Sequence, residues 1–223
     1  MKIVVIGSGS TGNCIAIYSN NGNVLLLDLG LSRKRIVQEL GYKIDNIHGA
    51  VITHEHKDHA YSVCDFKMMG IDVWKPYLEP DLSFHRFRDF KVWAFDVPHD
   101  DCECRGLLIC VDGHKILYVT DAEYCRYTFK HLEVDTIIVE CNYQKEYMDF
   151  DFANTNHVLR GHMELHTCID FLVCNKTEAL KNVILCHLSM RNISDEKSRE
   201  MVSEMLGENV QVHIAERGLE IVT

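Results

Sequence analysis

The sequence predicts an α/β fold in a single domain spanning residues 1–223, and three observations predict it. Short apolar segments of strand length alternate with stretches of helical periodicity along the chain. The composition, 47% hydrophobic and 25% charged over 223 residues, suffices for one substantial core. Chemistry-bearing side chains also recur at fixed places: His54, His99, Asp121, Glu140 and His187 each fall at or just after the end of a predicted strand. A sheet holds side chains there rigidly yet lets them converge in a crevice.

In chain order, residues 2–6 form a short apolar strand, followed by the glycine-rich turn 7–13, GSGSTGN. Its G-x-G-x-x-G spacing is not a dinucleotide fingerprint, because residues 14–18 read as strand rather than helix. The turn is either a strand-to-strand connection or a rim of backbone N–H groups for a phosphate, with Ser10 the candidate rim side chain. Residues 24–27 form a strand ending at Asp28. Ser32 caps a helix through Leu40, and Gly41 stops it. Strand 47–52 delivers the heptapeptide 53–59, and helix 60–69 follows. A short strand covers 71–74, whereas residues 77–89 carry no clear period. Strands 92–97, 107–111 and 115–119 come next, the last two joined by Asp112-Gly113, a hairpin signal. Strand 134–139 leads to Glu140, helix 163–174 to strand 183–186 and His187. Ser194 opens a helix with Asp195 and Glu196 in its first turn, where the helix dipole favours acids. Strands 210–214 and 219–222 close the chain.

The heptapeptide THEHKDH packs four metal-ligand side chains, His54, His56, Asp58 and His59, into six residues. Imidazole and carboxylate are donors that zinc, manganese and iron accept. His54 and His56 alternate as on an extended chain, so both can face one ion. Asp58 and His59 then swing toward a second as a helix begins.

This H-x-H-x-D-H pattern resembles the signature of the metallo-β-lactamase superfamily, which implies an αββα four-layer sandwich. Carried over residue by residue, the resemblance implies that His54, His56 and His99 ligate a first metal, Asp58, His59 and His187 a second, and that Asp121 bridges them. The segments GSGSTGNC, PHDDCECRG, VTDA, ECNY, GHMEL and CHLS are similar to those of the YycJ (WalJ) group, associated with 5′-to-3′ exonuclease action on DNA and related to ribonuclease Z. Cys102 and Cys104 around Glu103, and Met163-Glu164 after His162, depart from that pattern.

The implied chemistry is phosphodiester hydrolysis by a hydroxide held between two divalent ions, zinc first and manganese or iron as alternatives. Asp58 would orient the nucleophile. His162 would protonate the leaving group, with His157 and His166 close enough in sequence to take its place. Glu140 and Asn142 are expected at the rim or behind the ligands. The partner would be a nucleic acid or small phosphodiester. The alternatives are a glyoxalase II-like thioesterase and a non-catalytic binding protein that uses metal only for folding.

A net charge of −10 argues against a broad basic face for nucleic acid, though not against a local basic channel or a cation centre. Ten cysteines without a signal-like N-terminus suggest reduced thiols in the cytoplasm. No apolar run approaches membrane-spanning length, so no membrane partner is expected; the sequence leaves the oligomeric state open.

Overall fold

The computed structural model describes residues 1–148 and 155–223, with side chains at all of these except 155–157. Thirteen strands form within the described residues: β1 (Lys2–Gly7), β2 (Cys14–Tyr18), β3 (Val24–Leu27), β4 (Ile47–Val51), β5 (Val73–Trp74), β6 (Phe84–Phe87), β7 (Phe90–His99), β8 (Cys102–Val111), β9 (His114–Val119), β10 (Thr136–Glu140), β11 (Asn182–Cys186), β12 (Gln211–Ile214) and β13 (Glu220–Val222). The helices are α1 (Arg33–Glu39), α2 (Lys57–Ala60), α3 (Val63–Met68), α4 (Thr155–Gly161), α5 (Leu165–Asn175) and α6 (Asp195–Leu206).

The strands make two mixed sheets, ordered β13-β1-β2-β3-β4-β5 and β12-β11-β10-β9-β8-β7-β6. Each begins as an antiparallel meander and continues with parallel strands, β3 to β5 in the first and β9 to β12 in the second.

Side-chain alternation along these strands creates the layers. Ile3, Val5, Leu25 and Leu27 point inward and pack against Val92, Ile109, Tyr118 and Ile138 of the other sheet. The intervening residues Val4, Ile6 and Leu26 point outward onto Ile36 of α1 and Phe66 of α3. Ile137, Val139, Val183 and Leu185 face outward from the second sheet onto Leu165 and Leu172 of α5 and Val202 of α6. Three cores separate four layers, helix–sheet–sheet–helix, which is the sandwich that the sequence leads one to expect. Both faces of β3, β10 and β11 are covered, so these parallel strands read as nearly unbroken apolar runs.

Three expectations need correction. The helix expected over 60–69 is two short helices, α2 and α3. Ser62 lies between them, its backbone N–H and its hydroxyl both donating to the Leu29 carbonyl (2.9 and 3.2 Å), which pins the break to the exit of β3. The strands expected over 92–97 and 107–111 are longer. They pair continuously from Lys91↔Cys110 to His99↔Cys102, so His99 ends its strand instead of following it. The unreadable stretch 77–89 contains β6, an edge strand paired only with β7.

The start of α2, which carries Asp58, is fixed by close backbone approach. The Asp58 carbonyl accepts from Asn13 N–H at 2.8 Å, and Gly30 N–H donates to Asn13 O at 2.9 Å. A Cβ on Gly30 would lie 1.6 Å from the Asp58 carbonyl oxygen. Gly30→Ala should therefore destabilise the fold by about 1–3 kcal/mol, the usual cost of overpacking, and displace Asp58. Urea denaturation together with metal analysis checks both effects; an unchanged midpoint would show that the two segments separate easily.

Candidate metal centre

Four of the clustered histidines are oriented by a partner on one ring nitrogen while the other nitrogen faces a common space. His59 Nδ1 meets Asp28 Oδ2 at 2.8 Å. His99 Nδ1 donates to the Gly161 carbonyl at 2.6 Å. His187 Nδ1 lies 3.0 Å from Glu140 Oε1, and His54 Nδ1 lies 3.1 Å from Thr53 Oγ1. Such outer partners set tautomer and ring angle in metal sites. The inward atoms then gather: His99 Nε2 is 3.1 Å from His56 Nδ1, and His54 Nε2 is 3.4 Å from Asp121 Oδ2. His59 Nε2 is 2.6 Å from Asp121 Oδ2 and 3.6 Å from Asp58 Oδ2, which is 3.7 Å from His187 Nε2.

These atoms form two donor sets, each within a 4.8 Å span: His54, His56 and His99, and Asp58, His59, Asp121 and His187. Asp121 Oδ2 approaches members of both, as a bridging carboxylate must. A third grouping, Asp121, Glu140, His162 and His187, spans the same distance. In it Glu140 Oε1 already takes hydrogen bonds from His162 Nδ1 (2.7 Å) and His187 Nδ1 (3.0 Å), which sets it behind those two rings.

The site residues fit divalent metal ions on two grounds. The donor set is imidazole and carboxylate, suited to zinc, manganese or iron. The inward atoms His54 Nε2, His187 Nε2 and Asp121 Oδ1 are also buried without a hydrogen-bond partner. Buried polar atoms are rarely left so.

The local electrostatics are those of an ion-pair network. Burial alone would lower the His59 pKa, but Asp121 and Asp28 raise it to about 10. His187 is likewise pushed down by burial and carried well above its ordinary value by Asp121, Asp58 and Glu140. His54 is held well below its ordinary value by burial and by the neighbouring imidazole of His59. Asp121 resists burial and is held well below the usual carboxylate range by His187 and His59.

Backbone conformation aims several of these groups. Asp28, Asp121 and His187 have positive φ (60°, 47° and 53°) just beyond β3, β9 and β11. The left-handed turn directs each side chain out of the sheet and toward the crevice at the strand ends. For non-glycine residues this costs about 1–3 kcal/mol each, and such strain collects at functional sites.

All seven expected ligands converge. Glu140 lies behind them, and Asn142 donates to the His187 carbonyl at 2.7 Å. Ser10 lines the clefts on either side of the site. His162 joins the site too, between two helices where the sequence predicts only the second. It follows the end of α4, its backbone N–H donating to Val158 O at 3.1 Å, and lies ahead of Glu164, the N-cap of α5. The helix dipole at that end favours an imidazolium instead of an anion. His166 only caps, its N–H donating to Glu164, and the His157 side chain lies outside the described residues. Cys102 and Cys104 are β8 residues with free thiols.

The residue that sequence reasoning missed is Asp28. Fully buried, it accepts from Thr53 N–H at 2.8 Å and from the Tyr118 hydroxyl at 2.9 Å, and it holds His59. Its signal was the one that marked the other five residues, an ionisable side chain at the end of an apolar strand.

Residues 7–100 match the Metallo-beta-lactamase superfamily. The chain is 24% identical to Exodeoxyribonuclease YycJ of Bacillus anthracis, over 92% of this chain and 88% of that protein. The metallo-beta-lactamase fold protein YhfI from Bacillus subtilis superposes with a TM-score of 0.77 at 18% identity, covering 99% of this chain and 98% of that one. Human tRNase Z, short form, superposes with a TM-score of 0.65 at 16% identity, covering 100% and 99%. The fold is a metallo-β-lactamase fold.

Two outcomes follow for the centre. Asp28→Asn keeps the side-chain shape but removes the charge that orients His59, so metal affinity should fall about 10–100-fold with the fold retained. Competition with a chromophoric chelator measures this, and equal affinities would remove Asp28 from the site. The second outcome concerns pH. In the metal-free protein, His59 and His187 have raised values, so their stabilisation is fully present below the unfolded imidazole value of about 6.5. It is lost as pH rises through the folded value, about 10 for His59. Metal must displace those protons. The difference in Tm between metal-loaded and chelated protein should therefore widen from about pH 6 to about pH 8; a constant difference would contradict this proton competition.

Proposed function

We propose that this metallo-β-lactamase-fold hydrolase is a dinuclear phosphodiesterase acting on nucleic acid, first of all a 5′-to-3′ exonuclease on DNA. Residues 1–223 would act as one domain. Zinc is the first choice of metal, with manganese or iron as alternatives. The observation that carries the reading is His162, a protonatable group held by Glu140 at 2.7 Å in the same cleft as His187 and Arg191. The likeness to Exodeoxyribonuclease YycJ supports DNA as substrate. Ten free thiols, and no helix among the described residues long and apolar enough to cross a membrane, fit the cytoplasm.

His54, His56 and His99 would hold one ion, and Asp58, His59 and His187 the other, with Asp121 between them. Such ions supply Lewis acidity toward a phosphoryl group and make water acidic enough to serve as a nucleophile at neutral pH.

The chain's own residues do the rest. Asp58 keeps part of its carboxylate accessible and accepts a hydrogen bond from the attacking water, orienting it. Burial would lower the His162 pKa, but the charge and hydrogen bond of Glu140 raise it, which favours the protonated ring. With Nδ1 donating to Glu140, the proton passed to the leaving oxygen comes from Nε2. Glu140 Oε2 accepts from Ala122 and Met163 N–H (2.9 and 3.2 Å), so the carboxylate cannot swing away as the ring changes charge. Asn142 keeps His187 in place through its carbonyl.

The test compares substrates and variants. Metal-loaded protein should hydrolyse bis-p-nitrophenyl phosphate and end-labelled DNA while leaving lactoylglutathione and nitrocefin intact. A dominant thioesterase rate would reverse the assignment. His162→Ala should lose about 10²–10⁴ in rate on DNA, the usual contribution of general acid catalysis. It should retain its metal and lose less on the nitrophenyl ester, whose leaving group departs without a proton. Loss of an ion from His162→Ala would make His162 a ligand.

A further inference from the structure

The side chains of Ser10 and Thr11 line two clefts that meet at the donor cluster. One, of about 360 Å³, contains His162 and His187 and is the leaving-group side of the proposed reaction. The other, of about 440 Å³, opens on Asp58 and is lined by Ser32, Arg35, Lys57 and Tyr61. Its volume lies within the range of about 300–1,000 Å³ typical of small-molecule sites. No metal ligand except Asp58 reaches it, and the proposed chemistry leaves it without a role.

Its lining is specific in character. Arg35 is half-buried, and its Nε is buried without a hydrogen-bond partner. Lys57 lies within the metal-ligand motif itself, its Nζ 5.6 Å from the centroid of the Tyr61 ring. Tyr61 is 55% exposed, an aromatic surface beside the cleft instead of in a core. Neither cation forms a salt bridge among the described residues. A guanidinium without a carboxylate partner, an ammonium and hydroxyl groups suit phosphate oxygens. An exposed ring beside them suits a nucleobase, because stacking tolerates any base. In a chain of net charge −10, this is a local basic pocket instead of part of a basic face.

We propose that this second cleft is a nucleotide subsite: Arg35 and Lys57 hold the phosphate next to the scissile one, and Tyr61 stacks on the adjoining base. The assignment rests on the phosphodiesterase reading. Because His162 occupies the opposite cleft, the subsite takes the side of the strand that keeps the phosphoryl group. The protein thus recognises an oligonucleotide strand, not an isolated diester.

The experiment pairs two substrates with a binding measurement. Bis-p-nitrophenyl phosphate has neither a neighbouring phosphate nor a base, whereas dodecathymidylate has both. In Arg35→Gln/Lys57→Gln, KM for dodecathymidylate should rise about tenfold or more, with kcat changed far less. The loss in kcat/KM on bis-p-nitrophenyl phosphate should be about tenfold smaller. Binding of a hydrolysis-resistant phosphorothioate dodecathymidylate to metal-loaded protein should weaken, and its salt slope should fall by about 1 for each cation removed. Tyr61→Ala should weaken that binding and Tyr61→Phe restore it. Equal losses on the two substrates, or unchanged oligonucleotide affinity and salt slope, would overturn the subsite. If the wild-type protein hydrolyses neither substrate, the phosphodiesterase reading fails. The binding measurement still decides the subsite, since wild-type protein that does not bind the phosphorothioate strand also overturns it.

Discussion

Buried carboxylates behind the histidines are the constraint on which the centre depends. Asp28 grips His59, and Glu140 grips His162 and His187 together. Neither carboxylate is left with an idle oxygen. Asp28 also takes Thr53 N–H and the Tyr118 hydroxyl, and Glu140 takes two backbone N–H groups. A buried charge without such partners would cost several kcal/mol. Satisfied in this way, it becomes a rigid acceptor that fixes where an imidazole points. The two act from different sheets, Asp28 at the end of β3 and Glu140 at the end of β10.

Much of this could be read in the sequence, for a physical reason. Strands buried on both faces must be apolar throughout, so β2 and β3 and most of the parallel strands announce themselves within a residue or two. The heptapeptide is legible because its donors are contiguous. His99, Asp121, Glu140 and His187 are legible because each ends an apolar run.

What escaped depends on contacts between distant segments. Asp28 carries the same local signal, but its role appears only when β3 lies beside β4, with Leu27 opposite Val51. The break between α2 and α3 comes from the Leu29 carbonyl, more than thirty residues upstream. The strand β6 is short and half-exposed, with Phe84 and Arg86 facing solvent, so it lacks the apolar density that reveals its neighbours. The helix α4 ahead of His162 escaped as well, since the sequence shows only the helix that follows it.

The donor sets draw on both ends of the chain, which bears on the order of events during synthesis. The heptapeptide supplies His54, His56, Asp58 and His59 early, whereas Asp121 and His187 arrive with β9 and β11. A ribosome that has released β1 to β5 has exposed a tight cluster of imidazoles that still lacks His99, Asp121 and His187. Such a half-site still offers nitrogen donors to copper or nickel, which bind imidazole more avidly than manganese or iron does. Completion of the second sheet, therefore, does more than finish the core. It adds the carboxylate and imidazole that turn an indiscriminate nascent chelator into a cavity of defined charge and shape, so fidelity of metal choice belongs to the last stage of folding.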